Sequence, residues 1–203
     1  MFSAENKLKI SILISGTGSN MQAIAENVQQ KKLPNVQINH IISDQPKALG
    51  LSKARNMGLK AVYLDPGPYK TKFIEEKQQE YADFLLQNNN DLICLAGFMR
   101  LLKKPLIDAF PRKIINIHPS LLPKYPGLDT HKRALAAGDR EAGCSIHFVD
   151  SGMDTGEIID RRKVDIAPDE TEATLKQKVL RQEHILYSQV IKKISENKIK
   201  IGV

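Results

Sequence analysis

Apolar residues along this chain come in two rhythms that alternate from Leu8 onward. One is the short unbroken run: Leu8 to Ile14, Val36 to Ile42, Ala61 to Leu64, Leu92 to Ala96 and Ile114 to Ile117. The other is a stripe at helical spacing, as in Met21, Ile24, Ala25 and Val28. An unbroken run suits a strand covered on both faces, and a stripe suits a helix covered on one. Their alternation predicts an α/β domain with a Rossmann-like, mostly parallel sheet flanked by helices. A second helix is predicted over about Lys47 to Met57, closing at Gly58, a C-cap signal. Pro66-Gly67-Pro68 breaks the chain before a third helix that carries Phe73, Tyr81, Phe84 and Leu85 inward. Leu92 to Ala96 reads as a central strand.

Past Ser120 the rhythm changes. SLLPKYPG is a proline-pinned loop, and residues 143–150 and 157–166 predict an antiparallel hairpin around DSGMDTG. A long helix is then predicted to open at Pro168, Asp169 and Glu172, with Asp169 as its N-cap. Leu175, Val179, Leu186, Val190 and Ile194 form its buried stripe. No repeat or linker interrupts the pattern, so residues 1–203 are expected to form a single domain with the antiparallel hairpin in its C-terminal third.

Composition narrows the class. Hydrophobic residues at 41% and charged residues at 26% suit a packed core. No apolar run approaches the roughly 18 residues of a membrane span. The opening MFSAENKLKI also lacks the apolar stretch of a signal peptide. A cytoplasmic location with no membrane partner is therefore expected. Cys94 and Cys144 lie in apolar runs with no metal-like spacing, and read as small buried hydrophobes. The net charge of +7 permits an anionic partner, yet Lys192, Lys193, Lys198 and Lys200 supply much of it near the C-terminus. Without interleaved basic and aromatic residues, nucleic acid is not expected.

Three segments carry candidate chemistry. GTGSN, Gly16 to Asn20, follows the first strand and opens the first helix. Glycines there would let the backbone approach a phosphate, helped by helix N–H groups and by Ser19 and Asn20. Met21 stands where the dinucleotide fingerprint needs glycine, and no P-loop lysine follows. A tight turn with Ser19 as a plain helix cap is the alternative. In IINIHPSLLP, Asn116 and His118 are two residues apart on a strand and project to the same side. An amide beside an imidazole can stabilise an oxyanion and handle a proton. Asp154, in DSGMDTG, is either a turn residue or a carboxylate that holds His118 and favours its charged form. His40 and His147 read as core or sheet-surface residues, His131 as a residue lining the site or capping a helix, and His184 as surface.

Together these residues resemble the glycinamide ribonucleotide (phosphoribosylglycinamide) formyltransferase family. The motifs are ISGTGSNMQAI, LAGFMRLL, NIHPSLLPKYPGLDTH, GCSIHFV, DSGMDTG and RQEHILY, in that order from about Lys9 to Val190. The resemblance implies transfer of a formyl group from 10-formyltetrahydrofolate, a co-substrate, to the amine of glycinamide ribonucleotide. It implies direct transfer without a metal, with Asn116, His118 and Asp154 as the catalytic trio. Gly18, Ser19 and Asn20 would hold the phosphate and Glu183 the ribose. Lys72, Met99, Arg100, Leu101 and Leu102 would receive the folate, with Asn116 and Asp154 facing it. A nucleotide-binding part over about 1–100, a folate and catalytic part over about 97–190, and a monomer or homodimer are expected. Asp129 and Glu157 depart from the family pattern. Relatives that formylate initiator tRNA or a nucleotide sugar, or that hydrolyse the formyl carrier, have a further domain for which no room is expected. A non-catalytic phosphate-binding module remains the reading from another class.

Overall fold

The computed structural model describes residues 6–69 and 73–202. Seven strands form one sheet: β1 (Leu8–Ile14), β2 (Val36–Ser43), β3 (Ala61–Tyr63), β4 (Leu92–Leu95), β5 (Ile114–His118), β6 (Glu141–Phe148) and β7 (Ile158–Asp165). Their spatial order is β3-β2-β1-β4-β5-β6-β7. Pairing is parallel from β3 to β5 and antiparallel from β5 to β7. The predicted α/β class and C-terminal hairpin are what the chain adopts, and β4 is the central strand.

The helices are α1 (Ser19–Gln29), α2 (Leu49–Asn56), α3 (Glu75–Gln87), α4 (Leu106–Ala109), α5 (Thr130–Ala136) and α6 (Glu172–Ser195). Sheet alternation divides the core. Ile10, Ile12 and Ile14 join the α1 and α6 stripes on one side, while Leu13, Ile93 and Leu95 meet Tyr81, Leu85 and Phe110 on the other. That is why the strands read as unbroken apolar runs. All five residues of the α6 stripe are at most 1% exposed, and burying each such aliphatic side chain stabilises the fold by about 1.5–3 kcal/mol. Cys94 and Cys144 are both fully buried and free.

Two local expectations need correction. Thr171, not Asp169, caps α6: its side chain accepts from Thr174 N–H, and the Thr174 side chain returns a bond to the Thr171 backbone. Pro168 and Asp169 instead occupy the turn closed by Glu170 N–H on Ala167 O at 3.0 Å. Phe73 precedes α3 rather than lying within it, but is buried edge-on against the Tyr81 ring, centroids 4.9 Å apart. The short α4 and α5, of four and seven residues, are too brief to show a stripe. No helix of the described residues is long and apolar enough to cross a membrane.

Candidate active site

The chain leaves β1 toward one edge of the sheet and leaves β4 toward the other, which opens a crevice at their C-terminal ends. Ser15 ties the two exit loops together. Its N–H donates to Gly97 O, and its hydroxyl accepts from Met99 N–H, both at 2.9 Å. Gly18 follows at φ 68°, where a Cβ would also lie 2.9 Å from the Gly50 Cα, so the position admits only glycine. Gly18 itself holds the N-cap position of α1, and no side chain caps that helix, which corrects the alternative of Ser19 as cap. The first N–H groups of α1 are therefore left for an anion.

Asn20 does not extend a free donor toward that opening. It is 7% exposed, and its Nδ2 donates to Glu183 Oε2 at 2.7 Å. Glu183 is buried rather than on the helix surface, and burial raises its pKa against the opposing pull of Asn20 and Lys176. Ser19 and the exposed Thr17 are side-chain donors left at the mouth of α1.

The second cluster grows from the β5–β6 register. Asn116 and His118 share one side of β5, and His147 stands directly across from Asn116 on β6. The glycine-flanked loop after β6 folds back so that Asp154 reaches all three. Its Oδ2 lies 3.3 Å from His118 Nδ1 and accepts from Gly127 N–H at 2.8 Å. Its Oδ1 lies 3.5 Å from both Asn116 Nδ2 and His147 Nε2. Asp154 holds φ 56°, a left-handed conformation that aspartate tolerates better than most residues.

Hydrogen-bond partners assign the imidazole protons. His147 Nδ1 donates to Phe148 O at 2.7 Å, and its Nε2 lies between Asn116 Nδ2 at 3.2 Å and Asp154 Oδ1 at 3.5 Å. Asn116 Nδ2 faces the Asp154 carboxylate as well, so its NH2 group points into the cluster. His118 Nε2 donates to Tyr125 O at 2.8 Å, presented by the proline-pinned loop. Burial lowers the His118 pKa below 6.5; the Tyr125 carbonyl and Asp154 oppose this without reversing it. The expected upward shift is thus corrected, because the ring is only 5% exposed. Burial pushes the Asp154 carboxyl up, but His147, the Gly127 N–H and His118 together bring it below the ordinary value. The sequence marks His147 only as a core or sheet-surface residue, and strand register brings it here.

The segment Met99 to Leu102 splits by side chain. Met99 is 60% exposed and Leu101 38%, while Leu102 is buried. Arg100 is buried too, with Nε 2.7 Å from Asp44 Oδ2 and Nη1 donating to Tyr69 O at 2.8 Å. Its guanidinium thus anchors the loop to the end of β2. Lys72 lies outside the described residues. Asp129 precedes α5 at φ 57° without a side-chain cap bond, and Glu157 pairs with Arg112 at the start of β7. His131 sits beside Thr130, Nδ1 to Oγ1 3.4 Å, and does not cap α5.

A family model described as Formyl transferase matches residues 8–191. The phosphoribosylglycinamide formyltransferase of Escherichia coli is 36% identical over 194 residues, covering 96% of this chain and 90% of that protein. The "Trifunctional purine biosynthetic protein adenosine-3" of Drosophila melanogaster is 40% identical over 182 residues. The chain spans only 13 to 19% of the length of such trifunctional relatives. Among solved structures, glycinamide ribonucleotide transformylase 1 from Symbiobacterium toebii superposes with a TM-score of 0.89 at 38% identity, over 97% of this chain and 91% of that one. With the match running from the first strand into the last helix, this chain belongs to the formyl transferase family.

Proposed function

We propose that this chain transfers a formyl group from 10-formyltetrahydrofolate to the amine of glycinamide ribonucleotide, a step of purine biosynthesis. One observation carries the reading: the open start of α1 and the Asn116–His118–Asp154 cluster sit at C-terminal ends of the same sheet. Strands β1 and β5 are separated only by β4, so those ends lie about 10 Å apart at roughly 4.8 Å per strand. A phosphate held at α1 places an amine on the other arm of a ribose near Asn116. The name of the Escherichia coli relative supports this substrate.

In this reading Ser19 and the α1 N–H groups hold the phosphate, and Glu183, positioned by Asn20, meets the ribose. The folate lies along Met99 and Leu101, whose exposed side chains suit an aromatic ring, while Arg100 and Leu102 hold the loop; the resemblance adds Lys72, outside the described residues, to the folate contacts. Residues 1–100 thus serve the nucleotide and 97–190 the folate and the chemistry, with Glu183 as the exception. The amine attacks the formyl carbon, and the carbonyl becomes an oxyanion that the Asn116 NH2 stabilises. Donors of this kind contribute roughly a hundred- to thousand-fold in rate. His118, neutral at rest, takes the proton the amine sheds and becomes a cation between the Tyr125 carbonyl and Asp154. That proton then passes to the folate nitrogen as the C–N bond breaks. Purified protein, both substrates and an absorbance assay test the proposal. Absence of transfer, or transfer to initiator tRNA instead, overturns it.

A further inference from the structure

A cavity of about 470 Å3 lies between the Pro119–Tyr125 loop, α5 and the outward side chains of β7. None of Gly18, Ser19, Asn20, Asn116, His118, Asp154 or Glu183 lines it. Its volume is that of a small-molecule site. Leu121, Leu122, Ala134 and Ala142 give it an apolar floor, and the Tyr125 ring adds a flat wall.

Its rim is cationic. Lys124, Arg140, Arg161 and Lys163 all line it. Two of these charges are already matched, Lys124 by Asp139 at 3.0 Å and Lys163 by Glu141 at 2.8 Å. Arg140 and Arg161 have no carboxylate partner among the described residues. Arg161 and Lys163 alternate on one face of β7, about 7 Å apart. His131 also lines the cavity, and its buried Nε2 has no hydrogen-bond partner among the described residues. An apolar lining shared with two guanidinium groups that have no carboxylate partner suits one chemistry in particular. Guanidinium forks bind phosphate oxygens in pairs, and the apolar floor would hold what the phosphate is attached to.

We propose that this cavity is a second ligand site, distinct from the crevice at α1, for a phosphate monoester carried on a flat apolar body. The site backs onto the catalytic cluster through one loop. Tyr125 walls the cavity with its ring and holds His118 Nε2 with its carbonyl, so an occupant would stiffen the loop that orients His118.

The test needs no turnover, so its failure is separable from failure of the formyl-transfer reading. The labelled protein is titrated with 1-naphthyl phosphate, 1-naphthol and inorganic phosphate, and followed by NMR. The first should shift resonances of His131 and of the Tyr125 loop, and bind at least about ten-fold tighter than either fragment. Arg140→Gln with Arg161→Gln should weaken it about ten-fold or more with the same melting temperature, while Ser19→Ala should leave it unchanged. Shifts confined to Gly16–Met21, equal binding by the double variant, or equal binding of a fragment would each overturn the proposal.

Discussion

His118 Nδ1 and Asp154 Oδ2 face each other at 3.3 Å, while the opposite ring nitrogen donates to the Tyr125 carbonyl at 2.8 Å. Each nitrogen therefore meets an acceptor, an arrangement that suits the charged ring. Burial outweighs both, and His147 and Arg133 add to it, so the free ring titrates below 6.5. A group depressed in this way binds its proton more weakly folded than unfolded. Its contribution to stability is present above pH 6.5 and is lost as pH falls through the folded value.

Asp154→Asn keeps the shape and removes the charge. The His118 pKa, followed by imidazole NMR, should fall further, because the carboxylate charge that raises it is gone. In the proposed reaction kcat should drop by about a hundred-fold or more with both substrates still bound. An unmoved titration with normal kcat would make Asp154 a turn residue.

Glu183→Gln isolates the opposite case. The Glu183 pKa is raised by burial, so its contribution is complete below about pH 4.5 and is lost as pH rises through the folded value. Glutamine still accepts from Asn20 but never ionises. Urea unfolding should show the variant gaining on the parent as pH rises from 4.5 to 8. A pH-independent difference would contradict the assignment.

Ser19 and Asn20, adjacent in sequence, should respond differently to alanine. Ser19→Ala removes a donor at the mouth of α1, and should raise the ribonucleotide KM about ten-fold with little change in stability. Asn20→Ala strands a buried carboxylate, and should lower stability by about 1–3 kcal/mol as well. Chemical denaturation beside steady-state kinetics separates the two.

The same contrast marks how far the sequence could be read. Strands, the hairpin and the α6 stripe were legible because burial imposes period. Asn116 and His118 were legible as a pair because two residues on one strand share a face. Tertiary register was not legible: nothing local says that His147 stands across from Asn116, or that Asn20 turns away from the opening to meet Glu183. The cap of α6 slipped by two residues because Asp169 and Thr171 both have capping side chains, and the local turn decides between them. Sequence indicates a charged neighbour more readily than the depth of burial, so it points to a raised His118 pKa where burial lowers it.

That cap is a direct test. Thr171→Ala should destabilise the protein by about 1 kcal/mol, with Asp169→Ala close to neutral. Thermal unfolding of the two variants decides it.

Arg100 and Asp44 form an ion pair whose side chains are 3% and 2% exposed. Asp44→Ala leaves a buried cation and should cost about 3–5 kcal/mol in urea unfolding. Because Arg100 lies between Met99 and Leu101, the same change should raise the folate KM more than the ribonucleotide KM. Loss of stability with both KM values unchanged would leave the pair a purely structural anchor.

The Asn20–Glu183 bond joins residues 163 positions apart. A ribosome adding about 5–20 residues per second needs roughly 10–30 s to travel from one to the other. Throughout that interval the nascent chain carries the mouth of α1 without the carboxylate beside it. The crevice is therefore finished only when α6 emerges and docks, after all seven strands of the sheet have been made.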